Sequence, residues 1–238
     1  MRYDYSGIFN VKEEFIFVFT GNCDQGLVES MEVFDVQREI WRVFQNSIGE
    51  SSTVCNPRQG LETICFFQDK LKESDKNAAV QKDSIHLVGG VDAHGNNLRT
   101  VDEFNTKDMK VFAADWRLQT NLSYFSVANR ANIAYIAGGL YVDEKDNRPK
   151  QSRDLLQITF QSERDLTSEE VELGRLPGMQ YSQKQLAQMC HARQDFSLVV
   201  ESASHHASNF NLFAIGGFNT ELGILNSIEK YCSKLNQW

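Results

Sequence analysis

Residues that could bind a metal or act in catalysis are scattered along this chain rather than grouped. The 238 residues include five histidines, and two of them, His205 and His206, are adjacent in a segment rich in serine, alanine and asparagine. A zinc site needs three or four ligands that are oriented by further hydrogen bonds. Glu201 and His191 would have to reach that pair through folding alone, and His94 lies in a turn-like segment. We therefore predict no metal site.

The common catalytic and cofactor motifs are also missing from the sequence. No Gly-x-Ser-x-Gly elbow occurs, and neither Gly-Lys-Ser nor Gly-Lys-Thr follows a glycine pair. The segment 92–96 lacks the twelve-residue ligand pattern of a calcium-binding EF-hand loop. Carboxylate pairs such as Asp143-Glu144 fall in polar segments typical of solvated loops. We predict no catalytic residue and no cofactor, and therefore that the protein is not an enzyme.

Charge and hydropathy argue against two classes of partner. The formal net charge is -8, whereas nucleic-acid binding needs clustered lysine and arginine that displace counterions. No apolar run approaches the roughly 20 residues of a membrane helix, and the first residues do not resemble a signal peptide. We predict neither a nucleic-acid nor a membrane partner.

The cysteines indicate a reducing compartment. Their number is odd and no Cys-x-x-Cys occurs, which favours reduced thiols over a disulfide framework. We expect a cytoplasmic protein, with the nucleus as the alternative. The five positions are Cys23, Cys55, Cys65, Cys190 and Cys232.

A repeated pattern organises the chain: an apolar strand runs into a glycine pair, and a second strand with an aromatic residue follows. Four copies of the apolar strand and its glycines occupy residues 15–21, 85–90, 133–139 and 212–217. Fourteen residues separate Gly90 from Phe104, and fourteen separate Gly217 from Tyr231. A further apolar segment precedes each copy, and a strand marked in the first copy by Trp41 follows it. The unit is therefore four strands, and equal offsets at two places indicate a repeat architecture.

These repeats resemble the kelch repeat, one blade of a β-propeller. Arg58 and Arg193 match the arginine that begins the kelch unit, and 32–41 is the best copy of its second half. The sequence departs from the family pattern at Thr20, which replaces a glycine, and at Val111, which replaces a tryptophan. The third repeat also carries a charged insertion, 141–152, and the segment 181–189 favours a short helical turn.

The resemblance implies an all-β fold, a kelch-like β-propeller or partial propeller of about four four-stranded blades. We treat 1–238 as a single kelch-repeat region with approximate blades 1–46, 58–117, 118–177 and 190–238. Propellers of this family usually close with six or seven blades. The sequence is therefore expected to be a fragment, a compact four-bladed ring, or a chain completed by an oligomer or a second chain.

The resemblance also implies a protein-interaction scaffold or adaptor that binds a protein or peptide partner through loops on one propeller face. Arg58 and Arg193 either grip an acidic peptide or brace neighbouring loops. The alternatives are an enzyme with a site at the central channel and a nonfunctional kelch fragment. The predicted partner-binding residues are Arg58, Asp92, His94, Asn97, Arg99, Tyr141, Lys145, Arg148, Arg193, Asn219 and Glu221.

Overall fold

Four β-sheets are arranged as a four-bladed β-propeller, which confirms the all-β fold predicted from the repeats. The computed structural model describes residues 3–9, 14–44, 56–65, 84–106, 109–130, 132–143, 145–161, 180–201 and 209–238. Within these ranges the chain contains no helix. His205, His206 and Cys55 lie outside them.

The blades follow one another along the chain, and each is an antiparallel sheet built outward from an inner strand. Blade 1 comprises β1 (Ser6–Phe9), β2 (Phe15–Phe19), β5 (Met31–Asp35) and β6 (Ile40–Phe44). Blade 2 comprises β7 (Glu62–Cys65), β8 (Ser84–Val88), β9 (Thr100–Asn105) and β10 (Lys110–Arg117). Blade 3 comprises β11 (Ser126–Arg130), β12 (Ile133–Ala137), β15 (Leu155–Gln161) and β16 (Gln180–Gln185). Blade 4 comprises β17 (Ser197–Glu201), β18 (Asn211–Ile215) and β21 (Ile228–Cys232).

Three short hairpins project from the blades between their second and third strands. They pair β3 (Asn22–Cys23) with β4 (Gly26–Leu27), β13 (Leu140–Asp143) with β14 (Arg148–Gln151), and β19 (Phe218–Asn219) with β20 (Gly223–Ile224). The helical turn predicted for 181–189 is wrong, because 180–185 is the outermost strand of blade 3. There Leu156 pairs with Gln185 and Phe160 with Tyr181, so pairing with β15 overrides the local helix preference.

Consecutive blades bury apolar side chains between them. We call the side of a sheet that meets the next blade its forward face, and the side that meets the preceding blade its backward face. Because successive residues of a strand point to opposite faces, strands packed on both faces are apolar almost throughout. Blades 1 and 2 bury Phe17, Phe19, Met31, Leu87 and Phe104. Blades 2 and 3 bury Val88, Val101, Trp116, Ala134 and Ile136, and blades 3 and 4 bury Tyr135, Leu155, Leu198, Leu212 and Ala214.

The glycine pairs let consecutive blades approach at the level of the backbone. Gly90 N donates to Leu122 O at 2.9 Å, and Gly139 N donates to Arg193 O at 2.8 Å. A Cβ atom on Gly138, which has φ +64°, would lie 2.4 Å from Arg193 O. Only glycine tolerates both this approach and this backbone conformation. The glycine pair is therefore a blade-to-blade contact as well as a turn.

The forward face of blade 4 differs from those of the other blades. Phe19, Val88 and Ala137 directly precede their turns and are at most 1% exposed, whereas the equivalent Ile215 is 40% exposed. Ile228, which pairs with Ile215, is 63% exposed. Blade 4 therefore presents to solvent the face that blades 1 to 3 bury.

His86 is buried on the forward face of blade 2, beside Trp116 and Phe160. Its side chain is 1% exposed, and Trp116 Nε1 donates to its Nδ1 at 3.1 Å. Burial lowers the pKa of His86 to about 3, because the imidazolium would lose its hydration.

We expect His86 to make the fold less stable in acid. The unfolded chain binds a proton at this histidine near pH 6.5, whereas the folded chain does so only near pH 3. The contribution of His86 to the free energy of unfolding is therefore complete above pH 6.5. As the pH falls below 6.5, this contribution decreases by up to about 1.4 kcal/mol per pH unit. Urea unfolding of the wild type and His86→Gln between pH 4.5 and 7.5 isolates this contribution. A difference in unfolding free energy that does not change with pH would contradict the assignment.

Candidate functional site

One face of the propeller carries the segments that follow the glycine pairs. In every blade, a residue just before the inner strand forms an antiparallel bridge with a residue just after the glycine pair. The four bridges are Tyr3–Asn22, Gln59–Val91, Ser123–Leu140 and Gln194–Phe218. Because the bridge recurs in each blade, all four segments emerge on the same side, which we call the loop face.

Side-chain hydrogen bonds join neighbouring blades across the loop face. Asn22 Nδ2 donates to Gln59 Oε1 at 2.7 Å between blades 1 and 2. Between blades 2 and 3, Ser123 Oγ donates to Asn97 Oδ1 at 3.0 Å. Between blades 3 and 4, Gln151 Nε2 donates to Gln194 Oε1 at 2.8 Å. These amides fix the hairpins relative to one another, so the loop face is preorganised.

A groove of about 810 Å³ runs along the loop face between the hairpins of blades 3 and 4. Tyr141 and Lys150 line one side of it, and Thr220 and Leu222 line the other. Further lining comes from the segment that leads into blade 4, at Cys190, His191, Ala192 and Gln194. The groove therefore combines apolar side chains with amide, hydroxyl and charged groups, as binding sites for peptides and small molecules do.

Three of the predicted partner-binding residues meet at this groove: Tyr141, Asn219 and Glu221. Asn219 is largely structural, because its Nδ2 donates to Ala192 O at 2.7 Å and its Oδ1 accepts from the backbone N–H groups of Glu221 and Leu222. The blade 3 insertion forms the β13–β14 hairpin, which Lys150 stabilises through ion pairs with Asp143 and Asp146.

The other predicted loop residues lie away from the groove. Lys145 and Arg148 belong to the exposed end of the β13–β14 hairpin. In blade 2, Asp92 Oδ1 accepts from the backbone N–H groups of His94 and Asn96, both at 2.9 Å. Desolvation would raise the pKa of Asp92, but these hydrogen bonds and that from the Asn96 side chain together hold it below its usual value. Arg99 lines a separate surface depression, and Asn97 joins blade 2 to blade 3.

Arg58 and Arg193 are buried, at 1% and 0% exposure. Arg58 forms an ion pair with Asp102 and donates from Nη1 to Gly89 O at 3.2 Å. Arg193 repeats this geometry with Glu229 and with Gly216 O, at 2.8 Å. Of the two roles considered for these arginines, the bracing role matches these contacts.

We call each of these buried arginines, together with its acidic partner, a brace. In blade 4, Glu229 connects the brace to the groove. It accepts from Cys190 N at 2.6 Å, from His191 N at 3.1 Å and from Arg193. Burial would raise the pKa of this carboxyl, but these hydrogen bonds and the positive charge of Arg193 hold it below its usual value. Burial and the Glu229 charge raise the pKa of the Cys190 thiol, which disfavours its thiolate form.

Blade 3 replaces both members of the brace. Leu122 occupies the position of Arg58 and Arg193, three residues before Phe125, just as they precede Leu61 and Phe196 by three. Leu156 occupies the position of the acid, because it pairs with Ile136 as Asp102 pairs with Leu87 and Glu229 with Ala214. Sequence reasoning missed this exchange, although an alignment of the four repeats contains the signal.

Residues at the propeller axis form a second polar group on the loop face. Gly60 N donates to Asp4 O, Tyr124 N to Gly60 O, and Asp195 N to Tyr124 O, at 3.1, 2.7 and 3.1 Å. Burial and the neighbouring Asp4 and Asp195 charges raise the pKa of Tyr124 to about 12. Burial and Asp195 likewise raise the pKa of Asp4.

The sequence reasoning also missed two exposed apolar residues on the β19–β20 hairpin. Leu222 is 58% exposed and Ile224 is 87% exposed on the β19–β20 hairpin. The sequence signal for these residues is an apolar residue on each side of Gly223 in a short turn, because side chains in such a turn project away from the core. Leu222 lines the groove, and Ile224 does not.

Among the described residues, no group of three or more histidine, cysteine, aspartate or glutamate side chains is arranged to hold a metal ion. The described part of the chain also contains no helix with the length and apolarity to cross a membrane. No protein-family model matches this chain, and no curated protein matches it. The kelch resemblance therefore rests on the residues of the repeats, and the structure supports it at the level of the four-bladed propeller.

Proposed function

We propose that this chain is a kelch-repeat protein-interaction module that binds an extended segment of a partner protein in the groove between blades 3 and 4. The groove carries this proposal, because it brings together three of the loop residues predicted from the repeats. Cross-blade hydrogen bonds from Gln151 hold its two sides in place. A rigid site binds a flexible segment with a smaller entropic cost.

The walls of the groove suit a peptide better than a cofactor. Tyr141 and Leu222 offer apolar surface on opposite sides, and aromatic and large apolar side chains are frequent anchors in protein interfaces. Thr220 Oγ1 donates to Gln151 Oε1 at 3.2 Å and keeps lone pairs that can accept from a peptide N–H group. The chain's net charge of -8 favours a partner with positive charge through long-range steering.

The same charge supports our proposal that neither nucleic acid nor a membrane surface is the partner. We propose a location in the cytoplasm or nucleus, which the free thiols of the described cysteines Cys23, Cys65, Cys190 and Cys232 support.

An enzyme with a site at the axis is the weaker candidate. Asp4, Tyr124 and Asp195 do converge there with raised pKa values for Asp4 and Tyr124, which is an arrangement found in active sites. Asp4 and Asp195 are nevertheless exposed to solvent, and a phenol with a pKa of about 12 remains protonated. We therefore propose a binding role rather than a catalytic one.

We expect Leu222→Asp and Tyr141→Ala each to weaken partner binding by about tenfold or more, because each removes an apolar wall of the groove. Proximity labelling in the native cell would identify partners, and titration of purified partner against each variant would measure affinity. Ile224→Asp is the matched control, since it places the same charge on the same hairpin outside the groove. Equal affinity of all three variants and the wild type would contradict the proposal.

A further inference from the structure

A small cavity in blade 3 lies where blades 2 and 4 hold their buried arginine. Its volume is about 200 Å³, and its lining includes Leu122, Leu156 and Gly138. Leu122 and Leu156 are the two residues that replace the arginine and its acidic partner. The cavity therefore coincides with the part of the repeat in which the guanidinium is missing.

The backbone around this cavity keeps the form it has in the arginine-bearing blades. Gly89, Gly138 and Gly216 have φ values of 60°, 64° and 67°. Gly138 N donates to Asp154 O, just as Gly89 N donates to Thr100 O and Gly216 N to Ser227 O. The equivalent carbonyls of Gly89 and Gly216 accept from Arg58 and Arg193, whereas no described residue donates to Gly138 O. The acceptor of a guanidinium is thus retained in a blade that has lost its own arginine.

The lining suits a side chain with an apolar stem and a cationic end. Leu122, Ile136 and Leu156 provide an apolar floor for methylene groups. Asp154 provides a carboxylate at the rim, where its Oδ1 accepts from Gln185 and Gln188 at 3.1 and 2.7 Å. No described residue donates to its Oδ2.

Size and position connect the cavity to the groove. A volume of about 200 Å³ is below the roughly 300–1,000 Å³ of ordinary small-molecule sites, so one long side chain is a better fit than a cofactor. Tyr141 lines both the cavity and the groove, and its ring offers a π face to a cation. The groove and the cavity are therefore neighbours, separated by the Tyr141 side chain that lines both.

We propose that this cavity binds an arginine side chain of the partner segment, whose guanidinium hydrogen-bonds to Asp154 and to Gly138 O. This proposal rests on the proposed function and names the side chain that the partner contributes. The bound arginine takes the place that Arg58 and Arg193 fill in their own blades. Specificity follows from the charged, forked guanidinium, which pairs with a carboxylate better than a neutral group does.

Ligand-observed NMR with the full chain tests the proposal, using the capped peptide acetyl-Gly-Ser-Arg-Ser-Gly-amide as the probe. The matched probe replaces arginine with citrulline, which keeps the shape and removes the charge. We expect saturable binding of the arginine peptide and an affinity for the citrulline peptide lower by about tenfold or more. Equal binding of the two peptides, or no saturable binding at about 10 mM probe, would overturn the proposal.

Two variants test the location of the bound arginine. Asp154→Asn removes the carboxylate charge at constant size. The double variant Leu122→Arg with Leu156→Asp rebuilds the brace of blade 2 and fills the cavity from within. Both the Asp154→Asn variant and the double variant should bind the arginine peptide about tenfold or more weakly than the wild type does. Unchanged binding by a correctly folded Asp154→Asn variant would refute the site, even if the double variant fails to fold. If the arginine peptide binds but Leu222→Asp leaves partner affinity unchanged, the groove is refuted and the cavity is not. If the arginine peptide does not bind but Leu222→Asp weakens partner binding, the cavity is refuted and the groove is not.

Discussion

Replacing Arg193 with leucine is expected to lower the free energy of unfolding by about 3–5 kcal/mol, because it leaves Glu229 without its cationic partner in a largely buried position. The Arg193 side chain is fully buried and that of Glu229 is 9% exposed. The arginine also donates to Gly216 O at 2.8 Å, so its removal leaves a backbone acceptor unpaired as well.

The double variant Arg193→Leu with Glu229→Leu should recover the part of this loss that comes from the unpaired carboxylate, whereas Gly216 O stays without its donor and Cys190 N and His191 N lose their acceptor. Removing both charges eliminates the buried unpaired carboxylate, and apolar pairs of similar volume often replace buried ion pairs without loss of stability. Blade 3 supplies the precedent within the chain, because Leu122 and Leu156 occupy the two equivalent positions and Leu122 packs in the core between blades 2 and 3.

Urea unfolding of the wild type, both single variants and the double variant forms a complete double-mutant cycle. Glu229→Leu alone should also destabilise the fold strongly, since it leaves the buried guanidinium unpaired. A double variant that loses the sum of the two single losses would show that the pair is not coupled, and would contradict the bracing role.

Self-association is the second large expected effect, and the exposed forward face of blade 4 is its cause. Each of the three internal contacts packs a forward face against a backward face. On blade 4 the forward face carries the exposed Val199, Ile215 and Ile228, and on blade 1 the backward face carries Trp41 and Val43, at 53% and 58% exposure. We expect a second copy of this chain to join these faces, because they repeat the chemistry of the internal contacts.

The glycine pair of blade 4 supports this expectation. A Cβ on Gly89 or Gly138 would lie 2.4 Å from a carbonyl of the next blade, whereas one on Gly216 would meet only Leu225 O at 3.6 Å, within its own blade. Gly21, Gly90 and Gly139 each donate from their backbone N–H to a carbonyl of the following blade, whereas Gly217 N donates to no described residue, so this backbone contact is open at blade 4. A head-to-tail contact of this kind closes into a ring or extends into a chain of subunits.

Sedimentation velocity across a range of concentrations measures the effect. The wild type should shift to dimers or larger species as concentration rises, and Ile215→Lys with Ile228→Glu should remain monomeric. Ile224→Lys, which adds a charge at a more exposed isoleucine outside this face, should behave as the wild type does. A wild type that stays monomeric at every concentration would contradict the expectation.

The strands were predictable because their signals are local. Apolar residues next to a glycine pair identify the second strand of each blade, and the spacing from Gly90 to Phe104 locates the third. Strand β16 was not predictable in this way, since Gln and Lys side chains on an outer strand carry no clear alternation. Its conformation is set by pairing with β15.

The site was only partly predictable, because it depends on distances between segments far apart in the sequence. The kelch resemblance implied that Tyr141, Asn219 and Glu221 share one face, but the groove exists because the β13–β14 hairpin lies beside the β19–β20 hairpin. The burial of Arg58 and Arg193 depends on acids 44 and 36 residues away. That relation becomes visible only when the repeats are aligned strand by strand.

The chain of backbone hydrogen bonds at the axis has a consequence for how such a molecule can change during evolution. Asp4, Gly60, Tyr124 and Asp195 differ in chemistry, yet all four have φ between 51° and 60° and are joined through main-chain atoms. This connection at the axis, unlike the packing between the sheets, therefore does not depend on which side chains are present. Duplication, loss or exchange of a whole blade preserves that connection, so the number of blades can change while the interior of each sheet diverges independently.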